Sequence, residues 1–118
     1  MLPRSARLTS PNDFARTTKS GSRASSKFLV VYLYLTVTQT PVKCGLIINK
    51  SVGGSVVRHK VARQIRHRLQ EHLPQLPPGS LLVVRALPGV VKVDIGGELS
   101  HLIPKVIEKA LNTKMVSK

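Results

Sequence analysis

Basic side chains recur along residues 56–73 at spacings suited to binding phosphate groups. Arg58, Arg63 and Arg66 could each form paired hydrogen bonds with a phosphate, and Lys60 adds a further positive charge. Glu71 is the one acidic residue of this segment and lies near its C-terminal end. Since the sequence shows neither carboxylates at metal-ligand spacing nor a recognisable catalytic triad, these residues indicate binding of a polyanion rather than catalysis by the protein alone.

The whole chain shares this positive charge. Its 118 residues include 19 Lys and Arg against 5 Asp and Glu, which gives a formal net charge of +14. Between Phe14 and Gln70 there is no acidic residue, although this stretch includes apolar runs that predict folded structure. A solvated face normally mixes both signs of charge, and a membrane-surface helix would need the apolar stripe that the core requires. The charge therefore favours nucleic acid as partner.

Several classes of protein are excluded by length and composition. The length suits one domain, and we expect a single nucleic-acid-binding domain over 1–118 with an ordered core at about 7–111 and a frayed C-terminus. One cysteine, Cys44, excludes a disulfide framework and a zinc site of several thiolates. The longest apolar run, 28–35, is far shorter than the roughly 20 residues of a membrane span. We expect a cytoplasmic protein without a metal site of its own.

Helices and strands alternate in the predicted fold. Ser10 and Pro11 are typical of a helix start, and this helix should end before Gly21. The Ser-rich segment 21–27 is expected to be a loop. Two runs rich in β-branched and aromatic residues, 28–38 and 43–49, predict strands that form an antiparallel hairpin around the turn at 39–41.

The second half of the chain predicts a basic amphipathic helix over 56–73, a strand over 80–86 and a final helix over 98–111. At 100° per residue, one side of the basic helix carries the apolar residues Val57, Val61, Ile65 and Leu69. The opposite side carries His59, Arg63 and Arg66, with Arg58 near one boundary and Lys60 at the other edge. The helix should bury one stripe and present a basic ridge to solvent.

The run VGGSVVRHKVARQIR at 52–66 resembles the signature of the bacterial ribonuclease P protein family. That signature has a glycine, a small residue and a valine, followed by Arg-Asn and a basic run on one helix. The flanks agree as well: the matching positions are Arg7-Leu8, Asp13-Phe14, Gly21, the strand and lysine at 45–50, and the strand at 81–85. The resemblance covers about 7–111.

The resemblance implies an α+β fold: a small two-layer α/β sandwich similar to a ribosomal-protein domain. About four strands would pack with three helices, and a βαβ crossover would be left-handed, although such crossovers are nearly always right-handed. It implies a protein subunit of an endoribonuclease that removes the 5′ leader of precursor tRNA. Its partners would be a catalytic RNA, which performs the chemistry with bound Mg²⁺, and the precursor. The positions matching RNA-binding residues are Lys50, Arg58, His59, Lys60, Arg63 and Arg66.

The resemblance further implies a cleft that binds the single-stranded leader, with Phe14 and Tyr32 at its aromatic positions. Three residues depart from the family pattern. His59 replaces an asparagine, Ala62 stands where a lysine or arginine is common, and Thr18 takes the place of a second cleft aromatic. The leader groove should then depend less on stacking and more on charge.

Two other functions fit the charge. A structural or ribosomal RNA-binding protein shares the fold and the basic surface, but the full signature at 52–66 together with Asp13-Phe14 argues against it. A DNA-binding protein would insert the basic helix in a major groove. The sequence lacks a recognition-helix pair with a short turn, and asparagine and glutamine for reading bases are scarce on the ridge.

Overall fold

The computed structural model describes residues 7–36 and 41–116, with side chains as far as residue 112. The helices of this part of the chain are α1 (Pro11–Ser20), α2 (Ser55–Leu69) and α3 (Ile95–Val116). The strands are β1 (Ser22–Ser25), β2 (Leu29–Leu35), β3 (Lys43–Ile48) and β4 (Ser80–Ala86). This confirms the predicted α+β fold with a four-stranded sheet and three helices. No helix within the described ranges is long and apolar enough to cross a membrane.

The sheet has the strand order β1-β2-β4-β3. The predicted hairpin between the strands at 28–38 and 43–49 is wrong. In the structure these strands are β2 and β3, and β4 lies between them, antiparallel to β2 and parallel to β3. The reason is burial. The run 80–84 of β4 is buried at every residue, so β4 takes a central position with a neighbour on each side. A local β2–β3 hairpin would leave that strand at an edge.

The segment expected to be a loop, 21–27, contains β1, which pairs antiparallel with β2. Its sequence, SRAS, has weak strand propensity, so the sequence gives little sign of it. The pairing comes from β2, whose outer edge offers unpaired backbone groups. Ala24 is small enough to be buried against the core, at 4% exposure.

One face of the sheet carries the main core. Helices α2 and α3 cover this face, and their apolar residues pack with those of the strands: Leu29, Val31, Leu33, Leu82, Val84, Val61, Ile65, Leu99, Leu102 and Ile103 are among the buried members. Because β3 and β4 are parallel neighbours joined through α2, they form a βαβ unit. The left hand of this crossover stays a prediction.

Helix α1 lies on the other face, over a smaller apolar cluster. Val30, Tyr32, Leu81 and Val83 are buried there together with Leu8, and Phe14 of α1 packs against them. The start of α1 agrees with the sequence: Ser10 Oγ accepts a hydrogen bond from Asp13 N at 3.4 Å, and Pro11 is the first helical residue. Gly21 follows its last turn as predicted.

Helix ends differ from prediction. Helix α2 starts at Ser55 and ends at Leu69, where His72 N donates to Leu69 O and the chain tightens toward Pro74. Helix α3 runs from Ile95 to Val116 rather than over 98–111, and it includes two glycines in its first turn. Of the tail expected to fray, 117–118 lie outside the described residues. So do 37–40, which include the end of the predicted strand 28–38 and most of the predicted turn at 39–41.

Candidate nucleic-acid interface

Helix α2 buries the predicted stripe. Val61, Ile65 and Leu69 are fully buried, and Val57 is half-buried at the N-terminal end. Gly53 allows this packing at the entry to the helix, because a Cβ there would lie 2.8 Å from Val57 Cγ1. The face turned away from the core is therefore fixed by the packing, and this face carries the basic residues.

The six basic residues implied by the resemblance all remain accessible. Lys50, His59, Lys60 and Arg63 are exposed, while Arg58 and Arg66 are half-buried. None of the six has an ion-pair partner in the part of the chain that the structure describes; the salt bridge found there joins Arg68 to Glu71 at 3.4 Å. Since these positive charges are not neutralised internally, they are free to attract an anion.

Arg58, His59 and Arg66 line a groove of about 350 Å³ between α2 and β3, which we call the strand-side groove. Its other lining residues are Leu46, Ile48, Ser55 and Ala62. Because β3 is an edge strand, the groove opens to the side of the sheet. Two arginines and a histidine therefore lie beside an apolar part of the lining, formed by Leu46, Ile48 and Ala62, which we call the floor of the groove.

Lys60 and Arg63 lie on the other side of α2, where they line a second hollow with Gln64 and His67. Lys50 precedes the helix, in the 3-10 turn Lys50–Val52. The structure thus divides the predicted ridge: three residues border β3, two face away from it, and one stands before the helix. The basic residues are therefore spread over both sides of α2 and the turn before it rather than gathered at one point.

Phe14 and Tyr32 come together on the α1 face of the sheet. Phe14 is half-buried, whereas Tyr32 is only 9% exposed and is part of the cluster beneath α1. Tyr34 lies on the same face and is half-buried, and the guanidinium carbon of Arg16 stands 5.9 Å from the centre of its ring. Tyr34 therefore offers more ring surface to a ligand than Tyr32 does.

Sequence reasoning passed over Arg16 and Tyr34 as candidate cleft residues. The sequence held a signal for Tyr34, which shares its strand face with Tyr32. It held none for Arg16, because residues two apart on a helix, such as Phe14 and Arg16, do not face the same way. Thr18, which the resemblance places at the position of a second cleft aromatic, is half-buried, and its Oγ1 donates to Phe14 O at 3.0 Å. Ala62 is 8% exposed and lines the strand-side groove, so a longer basic residue there would enter the groove.

The described residues do not fit a metal ion, because no three His, Cys, Asp or Glu side chains among them come together. His59 is exposed on α2 and has no carboxylate partner in the described part of the chain. Burial raises the pKa of Cys44 to about 12, so its thiol stays protonated.

Comparison with known proteins agrees with this geometry. The profile of the family "Ribonuclease P" matches residues 2–110. The ribonuclease P protein component of Streptomyces avermitilis is 43% identical over 102 residues, covering 80% of this chain and 83% of that protein. That of Streptomyces griseus is 45% identical with the same coverage. The crystal structure of the Staphylococcus aureus RNase P protein superimposes with a TM-score of 0.78 at 25% identity, covering 88% of this chain and 99% of that one.

The match extends over nearly the whole chain and ends within α3, so it includes the sheet, the basic helix α2 and helix α1. The chain belongs to the ribonuclease P protein family, the protein part of the holoenzyme that cleaves precursor tRNA.

Proposed function

We propose that this chain binds the catalytic RNA of ribonuclease P through α2 and the 5′ leader of precursor tRNA through the α1 face of the sheet. The observation that carries the proposal is the charge on α2 and just before it. Lys50 in the preceding turn has no ion-pair partner among the described residues, and neither have Arg58, Lys60, Arg63 and Arg66 on the helix. Unpaired cations on a rigid helix suit the phosphates of a folded RNA, since counterion release favours their binding. The whole chain acts as one RNA-binding domain in the cytoplasm.

Hydrolysis at the 5′ end of the mature tRNA is assigned to the RNA subunit. Mg²⁺ supplies the Lewis acid and activated water of such a reaction when it is bound, and we assign it to RNA phosphates. The protein contributes charge: its +14 lowers repulsion between two polyanions and so raises the affinity of the RNA for precursor and for Mg²⁺.

Leader binding rests on the aromatic and basic side chains around α1. Phe14 and Tyr34 leave part of their rings accessible, and Arg16 stands over Tyr34. A single strand binds to such a surface by stacking bases on rings and by placing phosphates near arginine. The mature tRNA has no leader, so this contact separates substrate from product.

The experiment is cleavage of a precursor tRNA by a bacterial ribonuclease P RNA at low Mg²⁺, with and without the protein. We expect cleavage at the mature 5′ end only when RNA is present, with the protein lowering the Mg²⁺ that the reaction requires. Binding of the RNA without any change in cleavage would instead favour a structural RNA-binding protein. A variant with Arg58, Arg63 and Arg66 all changed to Ala serves as the negative control, and Lys105→Ala on α3 as the matched control.

A further inference from the structure

The strand-side groove combines three features that a plain basic helix face would lack. It has a volume of about 350 Å³, which is in the range of sites that hold small ligands. Its floor is apolar, formed by Leu46, Ile48 and Ala62. Its rim is cationic, formed by Arg58 and Arg66, with His59 beside them. A phosphate alone would need only the rim.

Arg58 adds a second observation. Its Nε is buried yet has no hydrogen-bond partner in the part of the chain that the structure describes. Buried N–H groups in folded proteins are nearly always paired, so this one indicates an acceptor that arrives with a ligand. The guanidinium would then donate from Nε and a terminal nitrogen together, as arginine does to phosphate.

The groove also remains open at the edge of the sheet. The segment at Arg7-Leu8 pairs with Cys44, where Leu8 N donates to Cys44 O at 2.8 Å. Further along β3, Leu46 and Ile48 have no strand on their outer side within the described ranges. A planar group can therefore enter from the side and rest on the apolar floor.

We propose that the strand-side groove receives one unstacked nucleotide of the RNA subunit, with its phosphate held by Arg58 and Arg66 and its base lying on Leu46 and Ala62. The proposal rests on the proposed binding of the RNA through α2 and adds to it a single-nucleotide site. An alanine at 62 is what opens this site, because a lysine or arginine there would fill the floor. The site selects an unpaired nucleotide, since a base held within a duplex could not reach the floor.

Arg7 extends the site along β3. Bridge partners point to the same face of a sheet, so the Arg7 side chain lies on the Cys44 face, which α2 also covers. Its Nε is likewise buried and without a partner among the described residues. Cys44 and Ile48 are about 13 Å apart along the strand. Arg7 is thus placed to hold a neighbouring phosphate of the same RNA strand.

The test uses two substitutions in the full-length protein that fill the groove from its two sides, Ala62→Leu on α2 and Leu46→Phe on β3. Ser100→Leu is the matched control, because it adds the same apolar side chain at an exposed position of α3 that does not line this groove. Affinity for the ribonuclease P RNA is measured over a range of salt concentrations. The bound RNA is probed at single-nucleotide resolution with dimethyl sulfate and with a 2′-hydroxyl acylating reagent.

We expect each filling variant to weaken binding about 5- to 100-fold, as loss of one base contact does. The slope of log K against log salt concentration (the salt slope) should stay unchanged, because neither substitution removes a charge. The same nucleotide should become reactive in both variants while the rest of the footprint stays protected. Ser100→Leu should behave as wild type. Full affinity and an unaltered footprint in both filling variants would overturn the proposal.

Arg58→Lys keeps the test decisive if a filling variant fails to fold, since it retains the charge and removes Nε–H. It should keep the salt slope, lose affinity and expose the same nucleotide; a wild-type footprint would overturn the site. Failure of the underlying RNA binding is a different result, because then the wild-type protein itself would protect no nucleotide. Arg7→Ala should reduce the salt slope by about one unit, and an unchanged slope would remove Arg7 from the site.

Discussion

The ring of Phe14 lies directly against the backbone of Gly45: a Cβ built on Gly45 would stand 2.4 Å from Phe14 Cζ and 3.1 Å from Leu8 Cβ. Glycine at this place in β3 therefore lets an aromatic residue of α1 settle on the sheet. The contact fixes the ring at the edge of the apolar cluster, where it is half-buried. The contact between Phe14 and Gly45 therefore affects both the stability of the protein and the proposed binding of the leader.

Gly45→Ala should destabilise the protein by about 1–3 kcal/mol, because the added methyl group forces the ring to move in a packed cluster. Urea unfolding of the wild type, Gly45→Ala, Phe14→Ala and the double variant measures the coupling between the two positions. In the double variant the alanine at 45 should cost much less, since the ring it would strike is absent. Additive effects of the two substitutions would contradict the contact.

Phe14→Leu should weaken binding of the holoenzyme to precursor tRNA and leave binding to mature tRNA unchanged. Leucine keeps much of the packing on Gly45 but lacks a flat ring, so the loss is that of one stacked base, about 1–3 kcal/mol. Equilibrium binding to both RNAs gives the comparison, and urea unfolding verifies that the variant is folded. An equal loss for precursor and mature tRNA would remove Phe14 from the leader cleft.

Tyr32 and Tyr34 should respond differently to replacement by leucine. Tyr32, which is 9% exposed, should change mainly the free energy of unfolding, by about 0.5–3 kcal/mol, because its ring is part of the cluster under α1. Tyr34 is half-buried beneath Arg16, so its replacement should change mainly the affinity for precursor tRNA. Parallel measurements of unfolding and binding separate the two effects. A larger binding loss for Tyr32→Leu would restore Tyr32 as the principal cleft aromatic.

The basic helix could be predicted from the sequence, because an amphipathic helix is recognised from the spacing of apolar residues within one short segment. Val61, Ile65 and Leu69 recur every four residues, and the helix that buries them must expose the arginines. The pairing of the strands could not be predicted in the same way. Whether β3 pairs with β2 or β4 depends on which strand competes best for the centre, and β4 lies about 30 residues further along the chain.

The strand-side groove could not be predicted from the sequence either, because it too depends on the order of the strands. Leu46 on β3 and Arg58 on α2, which line the groove, come together only because β3 is an edge strand and α2 returns beside it. Likewise, the residue pattern gives Tyr32 and Tyr34 the same face but not their depth beneath α1. Tyr32 pairs with Val83 in the middle of β4, and Tyr34 pairs with Leu81 near its start, so only the register distinguishes them.

Arg63→Ala should lower the dependence of RNA-subunit binding on salt by about one unit in the slope of log K against log salt concentration. Arg63 is exposed on α2 and has no ion-pair partner among the described residues, so removing it removes one potential phosphate contact without breaking an internal bond. Lys105→Ala, which removes an exposed charge from α3, is the control and should leave the slope unchanged. A wild-type slope for Arg63→Ala would exclude Arg63 as a phosphate contact.

The free energy of unfolding should fall more steeply with alkaline pH in the wild type than in Cys44→Ala. Burial raises the pKa of Cys44 from 9.0 to about 12, so between these values the folded protein keeps a proton that the unfolded chain releases. The stabilisation is complete below pH 9 and is lost as pH rises toward 12. Linkage gives a difference in slope of up to about 1.4 kcal/mol per pH unit.

Urea unfolding of both proteins at pH 8, 9 and 10 measures this difference, and lysine and tyrosine titrations cancel because the two proteins share them. Cys44 lies on β3 beside the Arg7-Leu8 segment, so the same substitution reports on how tightly that segment excludes water from the strand. Parallel curves for the two proteins would mean that water reaches the thiol in the folded state. The N-terminal segment would then cover β3 too loosely to hold Arg7 beside the strand-side groove.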